Sequence, residues 1–150
     1  MVSKASFMEH ALAEANLAAS RNEVPVGAVL VHNGKIIARN GNRTLELKDP
    51  TAHAEILVIR EAAEKLGNER LYECDLYVTL EPCPMCAGAT SFARIRRLYY
   101  GASDAKSGAV ESGVQYYSSD TCHHKPEVYS GILETQCSAI LTGFFEQRRK

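Results

Sequence analysis

Two short stretches constrain the fold most strongly, because together they supply one set of metal ligands. They are Thr51-Ala-His-Ala-Glu55 and Glu81-Pro-Cys-Pro-Met-Cys86. The prolines on either side of Cys83 are typical of a helix start, which puts both cysteine sulfurs on one side of a first helical turn. The partial positive charge at a helix N-terminus favours the thiolate form that binds metal. A fold that uses these ligands must bring the two stretches together.

His53 offers a third ligand of a kind that zinc accepts, and three protein ligands leave the fourth tetrahedral position for water. An open fourth position is the mark of a catalytic zinc site. Glu55 lies two residues further on, and in a regular helix the two side chains would point apart. Asp49 and Thr51 are candidate caps around Pro50, so His53 and Glu55 fall in a first turn where they can converge. Glu55 is therefore predicted to be a general acid and base and not a fourth ligand.

Two other interpretations of the cysteine pair are a structural zinc site and a redox pair. Structural zinc sites usually use four protein ligands from two Cys-x-x-Cys pairs, and this chain has one such pair. A thioredoxin-like redox site would need neither His53 nor Glu55. The combination of residue types therefore favours a catalytic zinc site.

The composition is that of an ordinary globular protein. Its 150 residues, 45% of them hydrophobic, predict a single domain over residues 1–150 with its own core. No stretch approaches the roughly 20 apolar residues of a membrane span, so we expect a cytoplasmic protein without a membrane partner. With 17 basic and 18 acidic residues, the net charge of −1 gives no sign of nucleic-acid binding.

The remaining cysteines are predicted to be free thiols, because five is an odd number for a disulfide framework. They are Cys74, Cys122 and Cys137. Cys137 falls on the apolar face of a predicted helix and is interpreted as a small buried hydrophobe. The run Cys122-His123-His124 resembles further metal chemistry. Because a three-ligand set is complete elsewhere, we expect these histidines to order the loop or to line the cleft.

Periodicity predicts helices that alternate with strands, and such an order implies helices packed on the faces of a sheet. Asn33-Gly34 marks a hairpin between the first two strands. Polar residues 40–44 follow as a loop, and Gly67 is a candidate helix C-cap. The predicted helices cover residues 6–20, 52–66, 83–93 and the segment after Gly131 up to a basic tail at 148–150. The predicted strands cover 24–31, 36–38, 75–80, 97–101 and 127–130. An irregular loop is predicted over 102–125.

His53-Ala-Glu55 followed by Pro82-Cys-x-x-Cys86 resembles the zinc-dependent cytidine deaminase superfamily over nearly the whole chain. Within it, residues 23–31, 49–55, 76–83 and 101–108 resemble the bacterial tRNA-specific adenosine deaminases. The resemblance implies a three-layer α/β/α fold with a five-stranded mixed sheet, and a homodimer. It also implies one Zn²⁺ ion per subunit and hydrolysis of the wobble adenosine of a tRNA anticodon stem-loop, of the tRNA-arginine type, to inosine and ammonia.

The resemblance also implies roles for residues around the metal. Asn42, which spacing alone would assign to a turn, is expected to bind the base, with help from the backbone N–H of Ala54 and the ring face of His53. Val24 and Leu80 are expected to form apolar walls. The residues expected to contact the RNA outside the base are Asp104, Lys106, Phe145 and Arg148. Ser103 and Glu146 stand where a relative carries arginine, which removes positive charge from the expected RNA face.

Two rival functions are consistent with parts of the pattern. A free-base or nucleoside deaminase, such as a guanine deaminase, shares the Glu-Pro-Cys-Pro-Met-Cys type of stretch, but should lack the loop 104–108 and the aromatic and basic final helix in this form. A catalytically silent zinc-folded RNA-binding module would have no use for a proton carrier at Glu55. The RNA deaminase is therefore the preferred interpretation.

Overall fold

A five-stranded mixed sheet forms the centre of the fold and carries helices on both faces. In the computed structural model, residues 3–148 are described, so Arg149 and Lys150 of the predicted basic tail lie outside the described residues. The helices are α1 (Lys4–Ser20), α2 (Thr44–Leu47), α3 (Ala54–Leu66), α4 (Pro84–Ala93) and α5 (Glu134–Arg148), and the strands are β1 (Gly27–His32), β2 (Lys35–Gly41), β3 (Cys74–Leu80), β4 (Arg97–Ala102) and β5 (Glu127–Tyr129). The predicted three-layer α/β/α fold is confirmed.

The strands lie in the order β2-β1-β3-β4-β5. The first three are antiparallel neighbours, whereas β3, β4 and β5 run parallel. Asn33 and Gly34 join β1 to β2 with positive φ values of 52° and 74°, as the primed hairpin turn requires. Because β3 and β4 are parallel, their carboxyl ends open at the same edge of the sheet. Both segments that leave this edge contribute to the site described below.

One face of the sheet is covered by α1 and α5. The predicted apolar stripe of α1 is confirmed, since its buried apolar residues are Phe7, Met8, Ala11, Ala15 and Ala18. A side chain at Gly27 would collide with the Ala11 carbonyl and the Ala15 amide, so glycine lets α1 lie directly on β1. On α5, Cys137 is fully buried, as predicted for a small hydrophobe.

The other face is covered by α3 and α4. Gly67 ends α3 with a φ of 66°, which confirms the predicted C-cap. The predicted loop begins after Ala102, and residues 103–125 are irregular except for a short 3-10 turn at Tyr116–Ser118, whose Tyr117 packs against α4 and hydrogen-bonds Thr90. His124 donates from Nε2 to the Ile95 carbonyl at 2.7 Å, so it orders this loop as predicted, whereas His123 is exposed. No helix within residues 3–148 is long and apolar enough to cross a membrane.

The structure corrects two local predictions, the loop over residues 40–44 and the caps of α3. Residues 40 and 41 continue β2 and do not belong to a loop, and the short helix α2 follows them. Asp49 and Thr51 do not cap α3, because Asp49 Oδ1 accepts from the Thr51 amide and hydroxyl at 2.9 and 2.6 Å. The cap residue is His53, which makes no side-chain cap bond. In each case a tertiary contact or a local turn outweighed the helix and loop signals.

Candidate active site

Three candidate metal ligands meet where the start of α3 faces the start of α4. His53 is the residue before α3, Cys83 is the residue before α4, and Cys86 lies in the first turn of α4. His53 Nδ1 lies 3.6 Å from Cys83 Sγ and 3.5 Å from Cys86 Sγ. In the part of the chain that the structure describes, this is the one group of three such ligand atoms within 4.8 Å of one another.

The spacing of these atoms fits a zinc ion. A tetrahedral zinc with sulfur at about 2.3 Å and nitrogen at about 2.0–2.1 Å sets its nitrogen and sulfur ligands about 3.6 Å apart. The two distances from His53 Nδ1 have this value. A hydrogen bond from the Cys86 thiol, and a further one from His53, hold the pKa of Cys83 well below its ordinary value. Cys86 is the donor of the first bond, which raises its own pKa. The donor set therefore fits a metal with three protein ligands.

Glu55 lies in the first turn of α3, and its side chain is 3% exposed. Burial raises the pKa of this carboxyl to about 7, although the positive charge of His53 acts to lower it. Within residues 3–148, its Oε1 atom has no hydrogen-bond partner. A buried polar atom without a partner costs free energy, and such groups occur where a ligand or a reaction uses them. Glu55 therefore has the burial and the free oxygen that a proton carrier needs.

His53, Glu55 and Cys83 line a cavity of about 230 Å³ between the ends of the strands. Ligand pockets for drug-sized molecules usually start at about 300 Å³, so this cavity suits a group as small as a single base. Val24 and Leu80 stand on its walls as predicted from the resemblance, and Asn42 and Asp104 also face it. The other lining residues are Val26, Thr44, Glu81 and Ser107.

Asn42 is held in place by the backbone around it. Its backbone N–H donates to the Val26 carbonyl at 3.0 Å, and its backbone carbonyl accepts from the Arg21 guanidinium at 3.2 Å. The side-chain Oδ1 accepts from the Ala54 N–H at 2.8 Å. The Ala54 N–H, expected to bind the base, therefore has a partner within the protein. The Asn42 side-chain NH₂ is the group left to meet a base.

A wider cleft joins the cavity along the residues that both share, Val24, Leu80, Asp104 and Ser107. It runs between the loop after β4 and one face of α5. Lys106 and Phe145, predicted to contact RNA, line this cleft, and Phe145 is 44% exposed. Asp104 Oδ1 accepts from the backbone N–H groups of Lys106 and Ser107 at 3.1 and 3.0 Å, which makes the loop compact.

Arg148 lies outside both the cavity and the cleft. Its guanidinium carbon lies 3.6 Å from the centre of the Phe144 ring, and its Nη2 donates to Asn22 Oδ1 at 3.0 Å. Of the two positions that lack arginine, Ser103 lines the cleft, whereas the exposed Glu146 does not. The loss of charge at Ser103 therefore bears directly on what the cleft can bind.

Several lining residues were missed by sequence reasoning. On α5, Ser138, Leu141 and Thr142 lie on one face together with the predicted Phe145, and this face lines the cleft. Their spacing of three, four and seven positions is a helical signal that identifies such a face. Glu81 belongs to one of the two initial stretches but was assigned no role. No local pattern distinguishes it from an ordinary strand-end residue, because its partners lie at residues 104–112.

Comparison with known proteins shows the family to which the chain belongs. A family model described as MafB19-like deaminase matches residues 2–149. A tRNA-specific adenosine deaminase from Agrobacterium fabrum is 64% identical over 149 residues, which is 99% of this chain and 98% of that protein. The chain belongs to the tRNA-specific adenosine deaminase family. This membership confirms the resemblance drawn from the His-Ala-Glu and Pro-Cys-x-x-Cys stretches.

Two solved structures of deaminases are similar to this chain. A structure from studies of A-to-I editing by tRNA:A34 deaminases has 67% sequence identity and a TM-score of 0.89, and covers 90% of this chain and 98% of that chain. A guanine deaminase from Bacillus subtilis has 28% identity and a TM-score of 0.65, with 99% and 95% of the two chains covered. Both share the fold, and the first is much more similar in sequence.

Proposed function

We propose that the protein hydrolyses the wobble adenosine in a tRNA anticodon loop, of the tRNA-arginine type, to inosine and ammonia. The observation that carries the proposal is the buried carboxyl of Glu55, whose Oε1 has no partner within residues 3–148, beside the candidate ligands His53, Cys83 and Cys86 in a base-sized cavity. The high identity to a tRNA-specific adenosine deaminase supports the choice of substrate. We propose that the reaction takes place in the cytoplasm.

In this mechanism His53, Cys83 and Cys86 would hold one Zn²⁺ ion per subunit. When bound, zinc supplies Lewis acidity that makes water a nucleophile near neutral pH. Glu55 takes a proton from the attacking water as its oxygen bonds to C6 of adenine, and delivers this proton to ring N1. Glu55 then carries the second proton of that water to the exocyclic nitrogen. The C6–N bond breaks, ammonia leaves, and inosine remains.

The base is held by residues that line the cavity. The free NH₂ group of Asn42 donates to an acceptor nitrogen of the base, because its Oδ1 is already bound to the Ala54 N–H. Val24 and Leu80 exclude water from the two sides, and the ring of His53 offers a stacking face. A water-poor cavity strengthens the hydrogen bond from Asn42.

The wider cleft receives the nucleotides beside the target. Single-stranded RNA is usually recognised by splaying its bases into separate pockets with aromatic and charged side chains. Asp104 would bind the neighbouring ribose, Lys106 a phosphate and Phe145 a base face, since all three line the cleft. Arg148, one turn beyond Phe144, would add a phosphate contact at the outer end of α5.

The test is inosine formation by purified protein of known zinc content on an anticodon stem-loop with adenosine at the wobble position. Free adenosine, cytidine and guanine serve as parallel substrates. We expect inosine in the stem-loop and no measurable ammonia from the free compounds. Ammonia from free guanine alone would replace the proposal with a guanine deaminase of the same fold and the same zinc chemistry.

Replacing Asp104 with alanine should weaken activity on the stem-loop and leave zinc content unchanged. The substitution removes one predicted ribose contact, and a hydrogen bond to a charged group is worth about tenfold in affinity. We therefore expect the KM for the stem-loop to rise by about tenfold. Asp120→Ala, at an exposed aspartate of the same irregular segment, is the control and should have no effect. Loss of zinc from Asp104→Ala would contradict the assignment.

We also propose that the chain forms a homodimer through α3 and α4. Phe92 on α4 is 75% exposed and lines a shallow groove with Ile56, Ile59 and Ala89. An aromatic side chain this exposed beside aliphatic neighbours is typical of a protein interface. A second copy of this chain is the occupant implied by the resemblance to dimeric deaminases.

Replacing Phe92 with aspartate should convert the dimer into a monomer. Aromatic residues at interface centres commonly contribute about 2 kcal/mol or more, so the dissociation constant should rise by at least about thirtyfold. Sedimentation velocity over a concentration series measures the change. Tyr72→Asp is the control, because Tyr72 is 54% exposed and lies outside the groove. Dimers of equal stability in all three proteins would place the interface elsewhere.

A further inference from the structure

Glu81 is a buried carboxylate to which the mechanism above assigns no role. It directly follows β3 and is 2% exposed. Its backbone N–H donates to the Ala102 carbonyl at 2.8 Å, which extends the pairing of β3 with β4 by one residue. Glu81 therefore lies where the segment that carries Cys83 and the loop that carries Asp104 separate.

Five donors converge on the two carboxylate oxygens. Oε1 accepts from the Asp104 N–H at 3.0 Å and the Ser112 hydroxyl at 2.9 Å. Oε2 accepts from the N–H groups of Val110, Glu111 and Ser112 at 3.1, 2.9 and 2.8 Å. A carboxylate has about four lone-pair sites, so this one is fully used. All five donors belong to residues 104–112.

The same loop is folded tightly on itself and packed against Glu81. The Gly108 N–H donates to the Asp104 carbonyl, and the Ala109 N–H donates to the Pro82 carbonyl, both at 2.9 Å. A side chain added at Gly108 would lie 2.6 Å from Glu81 Cδ. Movement of the Glu81 carboxylate would therefore move Asp104 relative to the cavity.

A purely structural role for Glu81 is the competing explanation, and the same strand provides a comparison. Asp75, near the other end of β3, is also buried, at 8% exposure. It accepts from Arg96 through both oxygens at 3.0 Å, and it lines neither the cavity nor the cleft. Loss of either carboxylate should reduce the stability of the fold. Only Glu81, however, has its hydrogen-bond partners in the loop 104–112, which carries Asp104.

We propose that Glu81 is the positioning residue that sets Asp104 against the substrate, a role that rests on the proposed function. Glu81 does not touch the reacting atoms. Its carboxylate fixes the loop 104–112 to the segment that carries Cys83. The distance between the ribose contact at Asp104 and the reacting base therefore stays constant.

The test uses full-length protein and the stem-loop RNA. In a Glu55→Ala background, which prevents turnover, we expect Glu81→Gln to raise the Kd for the stem-loop by about tenfold, because an NH₂ group then faces N–H donors. With Glu55 intact, the KM should rise by a similar factor while kcat changes less than about threefold. Zinc content should stay the same. Asp75→Asn should lower the melting temperature and leave the Kd unchanged.

Two further variants distinguish positioning from general loosening. Ser112→Ala removes one of the five donors and should raise the Kd by a smaller factor in a protein that folds normally. In an Asp104→Ala background, Glu81→Gln should lose most of its effect on the Kd, because the contact that it positions is gone. The proposal would be overturned if Glu81→Gln raised the Kd tenfold both with and without Asp104→Ala, or if it left the Kd unchanged. It would also be overturned if Asp75→Asn weakened RNA binding as much as Glu81→Gln does. Absence of inosine with the unaltered enzyme would instead reject the proposed function.

Discussion

Replacing Glu55 with alanine is expected to reduce turnover of the stem-loop by about a thousandfold while zinc stays bound. General acid and base catalysis by one positioned side chain contributes about 10² to 10⁴ in rate, and Glu55 is proposed to move both protons of this reaction. The side chain is buried beside the candidate metal ligands but is not one of them, since that cluster is formed by His53, Cys83 and Cys86. Single-turnover rates and zinc per chain measure the two outcomes.

The matched control is Glu64→Ala. Glu64 is an exposed glutamate on the same helix, so its replacement tests the effect of the substitution on α3 without touching the cavity. We expect full activity from this variant. Turnover close to normal in Glu55→Ala would remove Glu55 from the mechanism, and loss of zinc from that variant would show that Glu55 supports the metal.

Replacing Cys86 with alanine is expected to abolish both zinc binding and activity. Changes to residues that merely support metal ligands cost about 10- to 100-fold in affinity, so removal of one of three ligands should cost more than about a hundredfold. Zinc per chain after dialysis against a chelator is the measurement, with stem-loop turnover beside it.

Cys137→Ala provides the comparison for this variant. Cys137 is another fully buried thiol, but it lies on α5 and packs against the opposite face of the sheet. Its replacement should lower stability modestly through a small cavity and leave zinc content unchanged. If Cys86→Ala retained zinc as well as Cys137→Ala does, the proposed ligand set would be wrong.

The features that sequence predicted well are those with local causes. The hairpin turn at Asn33 and Gly34 and the helix end at Gly67 depend on backbone conformations that few residues adopt, so a short stretch is enough to identify them. The proximity of His53 to Cys83 depends on a shared ligand chemistry, which a pattern of residue types reveals across a long separation.

The features that were missed have distant causes. Glu23 accepts from the amides of Leu45 and Glu46, at 3.2 and 2.9 Å, and so stabilises the start of α2. Nothing near α2 in the sequence shows this bond. Arg148 donates to Asn22, which lies 126 positions earlier, and no pattern near either residue indicates this bond. Such contacts become visible when distant segments have already been brought together.

The parallel pairing of β3 with β4 has a consequence for how this kind of enzyme can diversify. The segment after β3 carries the cysteines, whereas the segment after β4 carries residues that line the wider cleft. Reactive chemistry and substrate choice are thus encoded in separate stretches that meet at adjacent strand ends. We expect a library confined to Ser103, Ala105, Lys106 and the cleft face of α5 to change which nucleic acids are bound, while the residues that line the cavity stay unaltered.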